Sequence, residues 1–130
     1  MEDGFFVARG SRLGAIKAFI LSRIDNPELC LDDVAAHQQI SSSYVRKLFA
    51  AEGAKFTAFV LQTRLEKVLE MLADPDARGQ PISAIALKCG FNDISYFNRV
   101  FRKRYGCTPS DLRYGRVANA ELAANGRLPA

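Results

Sequence analysis

The sequence predicts an all-α fold of about seven helices. Three observations carry this. Apolar residues recur at three- and four-residue spacing from Leu13 onward, the period of one buried helix stripe. No segment alternates apolar and polar residues as a half-buried strand does. Turn-forming groups, Asn26-Pro27, Ser41 to Ser43, Asp74-Pro75-Asp76 and Gly79-Gln80-Pro81, cut the chain into helix-sized pieces.

Taken in order, residues 1–10 read as a linker or disordered N-terminus. Ser11 is placed to cap a first helix to about Ile24, with Leu13, Ile16, Ile20 and Ile24 on one stripe and Asn26-Pro27 as its stop. A short helix is predicted from about Leu31 to Gln38, with Asp32 and Asp33 in the first turn, where the helix dipole favours negative charge. After the serines, a helix from about Ser42 to Glu52 ends at Gly53, suited to a left-handed terminator. A longer helix from about Phe56 to Ala73 carries a wide apolar face. A short helix from about Ile82 to Cys89, a turn at Gly90 and a helix from about Asp93 to Tyr105 follow. In Thr108-Pro109-Ser110-Asp111 the threonine is the cap, the proline suits the first helical position and the aspartate completes a capping box. The stretch from 115 to 130 has little apolar patterning and reads as a disordered tail. The domain division is therefore 11–55 for a first subdomain, 56–73 for a linker helix and 74–114 for a second subdomain.

Composition narrows the class. At 48% hydrophobic, the chain holds enough apolar residues for a core. No apolar run approaches the ~20 residues that span a bilayer, and the start lacks the layout of a secretory signal, so a soluble cytoplasmic protein is expected. Lys and Arg outnumber Asp and Glu by 18 to 14, for a net charge of +4. That excess is compatible with nucleic acid and matters only if it is gathered on one surface. Cys30, Cys89 and Cys107 are far apart and His37 is the single histidine. No metal site and no cofactor are expected, because zinc ligands cluster at short spacings. The cysteines read as small apolar residues in a reducing compartment.

The most informative feature is an internal repeat. Leu31 to Phe49 and Ile82 to Phe101 each contain a short amphipathic helix, a polar turn and a longer two-faced helix. Val34 and Ala35 match Ile85 and Ala86. After one extra turn residue in the second copy, Tyr44, Val45, Leu48 and Phe49 match Tyr96, Phe97, Val100 and Phe101. At ~100° per residue each set of four shares a face that is expected to be buried. The opposite faces carry Ser43, Arg46, Lys47 and Ala50 in one copy and Ser95, Asn98, Arg99 and Arg102 in the other, with no carboxylate although the chain has 14. This is the helix-turn-helix layout. Gly90 supplies the positive φ such a turn often needs, whereas Gln39 stands there in the first copy at a strain of about 1 kcal/mol. A charged outer face is ordinarily only solvated, but two copies with matching outer faces argue for a shared function of those faces.

At these residues the chain resembles the DNA-binding domain of AraC/XylS-type transcription regulators. Ile85 to Arg113 carries the specific match, with Gly90-Phe91, Ser95-Tyr96-Phe97, Phe101, Gly106 and Thr108-Pro109 in register. The first copy keeps Val34-Ala35, Ser41, Leu48-Phe49 and Gly53, and the long helix keeps Arg64. The resemblance covers about residues 13–114. It implies two helix-turn-helix subdomains on one linker helix, binding double-stranded DNA through two successive major-groove segments. Carried over position by position, the DNA-binding residues would be Ser43, Arg46 and Lys47 in the first subdomain. In the second they would be Ile94, Ser95, Asn98 and Arg99, with Arg102 adding charge beyond them. Gln39 and Ile94 depart from the family pattern.

A linker helix of about 17 residues spans roughly 25 Å. With the subdomain bodies, that length would set the recognition helices ~34 Å apart, one turn of B-DNA. Arg46, Lys47 and Arg99 suit guanine O6/N7 or phosphate, and Asn98 suits adenine. Ser43 and Ser95 suit phosphate or a water-bridged base, and Ile94 a thymine methyl or partial burial. Arg102, Lys103 and Arg104 add phosphate-directed charge, and the helix starts near Phe56, Ile82 and Pro109 offer N–H groups to phosphate. The resemblance also implies activation, with RNA polymerase as partner. The linker-like start favours a C-terminal piece, preceded by an effector and dimerisation domain, over a stand-alone regulator. An enzyme is not expected, since His37 has no poised nucleophile beside it. A protein-interaction module would need exposed apolar grooves, and a single-strand binder exposed aromatics.

Overall fold

The apolar stripes become seven α-helices in the computed structural model, which describes residues 2–115 and the side chains of residues 11–115. They are α1 (Glu2–Ser22), α2 (Leu31–Gln38), α3 (Ser42–Ala50), α4 (Phe56–Ala73), α5 (Ile82–Lys88), α6 (Ile94–Tyr105) and α7 (Pro109–Arg113), with a 3-10 turn at Pro75–Ala77. No strand occurs among the described residues. The chain divides into two compact units, Met1–Arg64 and Leu65–Ala130, and the boundary falls inside α4.

The first unit packs α1, α2 and α3 together. Leu13, Ile16, Ile20 and Ile24 face Val34, Ala35, Val45, Leu48 and Phe49, and the start of α4 closes this core with Phe56 and Val60. Complete burial of side chains of this size stabilises by about 1.5–3 kcal/mol each. Arg64 fastens the connection after α1: its Nε donates to the Ile24 carbonyl at 3.0 Å and its Nη2 to the Asn26 carbonyl at 2.8 Å. The arginine that the family resemblance singled out therefore has a tethering role. Lys17 pairs with Glu52 at 3.2 Å, and His37 is exposed with its ring stacked on Phe19, centroids 3.9 Å apart.

The second unit takes Leu65, Val68 and Leu72 from the rest of α4 into a core with Ile85, Ala86 and Cys89. Along α6 the rings form a ladder: Phe91 to Phe97 at 5.0 Å, Phe97 to Phe101 at 5.7 Å and Phe101 to Tyr105 at 4.8 Å. Such tilted and edge contacts add to the area term. Arg113 secures this unit as Arg64 secures the first, donating to the carbonyls of Gln80 and Ala77. The capping box of α7 is formed: the Asp111 N–H donates to Thr108 Oγ1 and the Thr108 N–H to Asp111 Oδ2, both at 3.1 Å.

Two expectations are corrected here. Helix α1 does not begin at Ser11 but reaches back to Glu2, through residues that read as a linker. No proline interrupts this stretch, so a helix nucleated by the buried stripe from Leu13 onward propagates upstream at little cost. Tyr44 and Tyr96 are not buried but 37% and 38% exposed. The buried centre of the first stripe lies at Val45–Leu48–Phe49; in the second, Phe97 and Phe101 are buried and Val100, expected to be buried with them, is only half-buried. At 100° per residue each tyrosine falls roughly 90° from that centre, on the rim. The tail expected to be disordered lies, from residue 116 on, outside the described residues.

Candidate nucleic-acid interface

The two helix-turn-helix copies share their backbone hydrogen bonds as well as their sequence pattern. In the first, α2 closes with the Gln39 N–H on Ala36 O at 3.2 Å and the Ile40 N–H on Ala35 O at 3.0 Å. In the second, the Gly90 N–H meets Leu87 O and the Phe91 N–H meets Ala86 O, each at 3.1 Å. The residue at the pivot has positive φ in both, 58° for Gln39 and 99° for Gly90; Gln39 is the only non-glycine residue in that region among the described residues. The second helix of each copy starts from a side-chain cap. The Tyr44 N–H donates to Ser41 Oγ at 3.1 Å, and the Tyr96 N–H to Asp93 Oδ1 at 3.0 Å. The carboxylate thus sits at the cap, satisfying an end of the helix, and not on its outer face.

These caps fix which side chains face outward. In α3, Ser43, Arg46 and Lys47 are exposed, while Val45, Leu48 and Phe49 are buried. In α6, Ser95, Asn98, Arg99 and Arg102 are exposed and Ile94 is half-buried at the first position. Neither helix contains a carboxylate. Basic residues close both, Lys47 in α3 and Arg102, Lys103 and Arg104 in α6, where the helix dipole favours positive charge. The guanidinium of Arg99 lies over the Tyr96 ring, 5.4 Å from its centroid.

Each outer face borders a groove, and the two grooves occupy the same place in the repeat. In the second unit a concavity of about 850 Å³ lies between the start of α5, the outer face of α6 and the start of α7. Asn98, Arg99, Arg102 and Lys103 line it, with Ser83 and Thr108 opposite. In the first unit a concavity of about 550 Å³ lies between the start of α2, α3 and the start of α4. Arg46 and Lys55 are its cationic members, over Leu31, Ala50 and Phe56. The helix starts named from the sequence near Phe56, Ile82 and Pro109 all fall on these grooves. The sequence reading missed Lys55, and nothing in the sequence brings it to Arg46 before α3 and α4 are folded against each other. It also missed Tyr96 as a neighbour of Arg99, although their three-residue spacing on one helix was the available signal.

Among the described residues no group of His, Cys, Asp and Glu is placed to hold a metal ion, and no helix is long and apolar enough to cross a membrane. Burial pushes the Cys89 thiol up to about 11, with Lys67 drawing it down and Glu70 adding to the rise. The Tyr105 phenol is pushed up to about 12, by burial first. These groups are parts of the core.

A family model described as a helix-turn-helix domain matches residues 34–114. The chain is 41% identical over 104 residues to the transcriptional activator RhrA of Rhizobium meliloti, covering 79% of this chain and 32% of that protein. To the transcriptional activator NphR of a Rhodococcus species it is 34% identical over 105 residues, covering 81% of this chain and 30% of that one. The chain thus spans about a third of the length of these relatives. Among solved structures, the C-terminal domain of AraT, a response regulator from Geobacillus stearothermophilus, is similar with a TM-score of 0.74. Its identity is 26%, covering 83% of this chain and 88% of that one. A DNA-binding transcriptional dual regulator from Escherichia coli K-12 is similar with a TM-score of 0.70 and 25% identity, covering 80% and 96%.

Proposed function

The chain belongs to the AraC/XylS family of helix-turn-helix regulators, and from that premise we propose that it is a sequence-specific, double-stranded DNA-binding transcription activator that reads two successive major-groove segments with α3 and α6. One observation supports this above the rest. An exposed, carboxylate-free face of small polar and cationic side chains recurs at the same place in both copies. A face that was merely solvated would have no reason to repeat in both sequence and cap geometry. The matched relatives are regulators of transcription and not enzymes.

In this reading Arg46, Lys47 and Arg99 pair with guanine O6/N7 or with phosphate, and Asn98 with adenine. Ser43 and Ser95 bond to phosphate or to a base through water. Ile94 touches a thymine methyl from the rim of its groove. Arg102 neutralises phosphate beyond the recognition surface. RNA polymerase is the partner through which a DNA-bound copy activates, and an N-terminal effector and dimerisation domain belongs to the whole protein in the same proposal. The site of action is the cytoplasm, with the DNA.

The test is binding to duplex DNA at rising salt. Affinity should fall linearly on logarithmic axes, with a slope of about −0.9 per phosphate neutralised. Arg99→Ala should weaken specific binding by ~1–3 kcal/mol and relax preference at one base pair. A loss uniform over all sequences would make Arg99 a phosphate contact. Affinity indifferent to salt would contradict the proposal.

A further inference from the structure

The structure assigns Tyr96 as a positioning residue for DNA readout: its ring fixes the Arg99 guanidinium in the orientation that reaches the base edge. This rests on the reading of the α6 outer face as a DNA surface. The starting observation is that Tyr96 is 38% exposed where the buried stripe would have covered it. Rim exposure follows from its place on the helix and is shared by Tyr44; what sets Tyr96 apart is its surroundings. The buried Phe91 lies beside the ring, tilted, at a centroid distance of 6.5 Å. Arg99, one turn along α6, lays its guanidinium 5.4 Å from the same centroid. The ring therefore contacts both the core and the cation.

The physical consequence concerns Arg99 more than Tyr96. An exposed arginine carries much rotamer entropy that must be given up when its fork docks on a guanine. A cation held over an aromatic face has surrendered part of that freedom beforehand, so less is lost on binding. A contact with a ring restrains a guanidinium without consuming its N–H donors.

The repeat provides an internal comparison. Tyr44 occupies the equivalent position in α3 and is equally exposed at 37%, but the residue one turn on is Lys47. An ammonium on a flexible stem offers no planar fork to orient. The positioning role is thus confined to the second unit, and the two tyrosines should respond differently to substitution.

The experiment is a double-mutant cycle on the 130-residue chain, read by affinity for a selected operator duplex and for versions changed at single base pairs. Thermal melts of each variant check folding. Tyr96→Leu should lower affinity for the operator about two- to five-fold, the range of an exposed cation–π contact, and should flatten discrimination at the base pair that Arg99 reads. In the Arg99→Ala background the same change should have no effect. Tyr96→Phe should behave like the parent, because the ring face and not the hydroxyl is used, and Tyr44→Leu should leave discrimination in place. Relaxation of the Arg99 Nε–H in the free protein gives a second readout, with mobility expected to rise in Tyr96→Leu alone. An equal loss from Tyr96→Leu with and without Arg99 overturns the proposal. So does a Tyr96→Phe protein as weak as Tyr96→Leu, which would make the hydroxyl a phosphate ligand. Either result leaves the DNA surface standing. An Arg99→Ala protein that binds and discriminates like the parent removes what Tyr96 positions, and contradicts the base-reading role of Arg99 as well.

Discussion

Gln39 and Gly90 hold the same pivot in two copies of one motif, with φ of 58° and 99°, yet only one of them is suited to it. An L-residue in the left-handed region costs roughly 1–2 kcal/mol, and glycine escapes that cost. Gln39→Gly should therefore stabilise the first unit by about 1 kcal/mol, offset in part by the greater freedom glycine gives the unfolded chain. In the opposite sense, Gly90→Val places a β-branched side chain on a buried residue with φ far from its allowed region. It should destabilise the second unit by about 2–3 kcal/mol. Urea melts of the two variants check both signs; an unchanged midpoint for Gly90→Val would contradict the turn assignment. Residues governed by their nearest neighbours were legible in the sequence. Gly90 as pivot and the Thr108–Asp111 capping box are examples, because their chemistry closes within a few residues. The exposure of Tyr44 and Tyr96 was not legible, since a position on the rim of a stripe is covered or bare according to what other helices place beside it.

At the scale of elements, the recognition helices and the core they rest on have opposite electrostatic characters. The outer face of α6 is cationic. Its inner face carries the buried rings Phe97, Phe101 and Tyr105, and the buried titratable groups of this unit resist ionising. Burial lifts the Cys89 thiol from 9.0 to about 11 and the Tyr105 phenol from 10.0 to about 12, and it raises Cys107 as well. A folded-state value above the unfolded one means that, between the two, the unfolded chain has released a proton the folded chain keeps. Stability then falls as pH rises. The contribution of Cys89 is intact below pH 9.0 and is lost as pH climbs toward about 11. All three groups belong to the second unit. Amide exchange followed from pH 8 upward should show α5 and α6 opening before α2 and α3, once intrinsic exchange is corrected for; parallel opening of both units would contradict this. Element boundaries were legible where a cap or breaker is local, as at Phe56–Ala73, whose limits match the expected ones. The start of α1 was not, because a helix without a proline stop runs on as far as propagation allows.

At the scale of the whole molecule, the duplication was the most legible feature and also the most consequential. Its two halves repeat the pivot, the cap, an apolar inner face and the outward cations, and the structure adds a groove at the same place in each. The grooves were beyond the sequence because each joins the starts of two helices to the face of a third. They also show where the copies diverge. The cations come from α6 itself in the second unit, through Arg99, Arg102 and Lys103, and in the first from Arg46 on α3 and Lys55 in the connection just before α4. The two units are thus built to present similar surfaces with different side chains, as two readers of different base sequences would be. Selection of bound sequences from a random duplex pool tests this most directly. Two separate blocks of preferred base pairs, one assignable to each recognition helix, are predicted. A single block, or a pool left unenriched, would contradict the account.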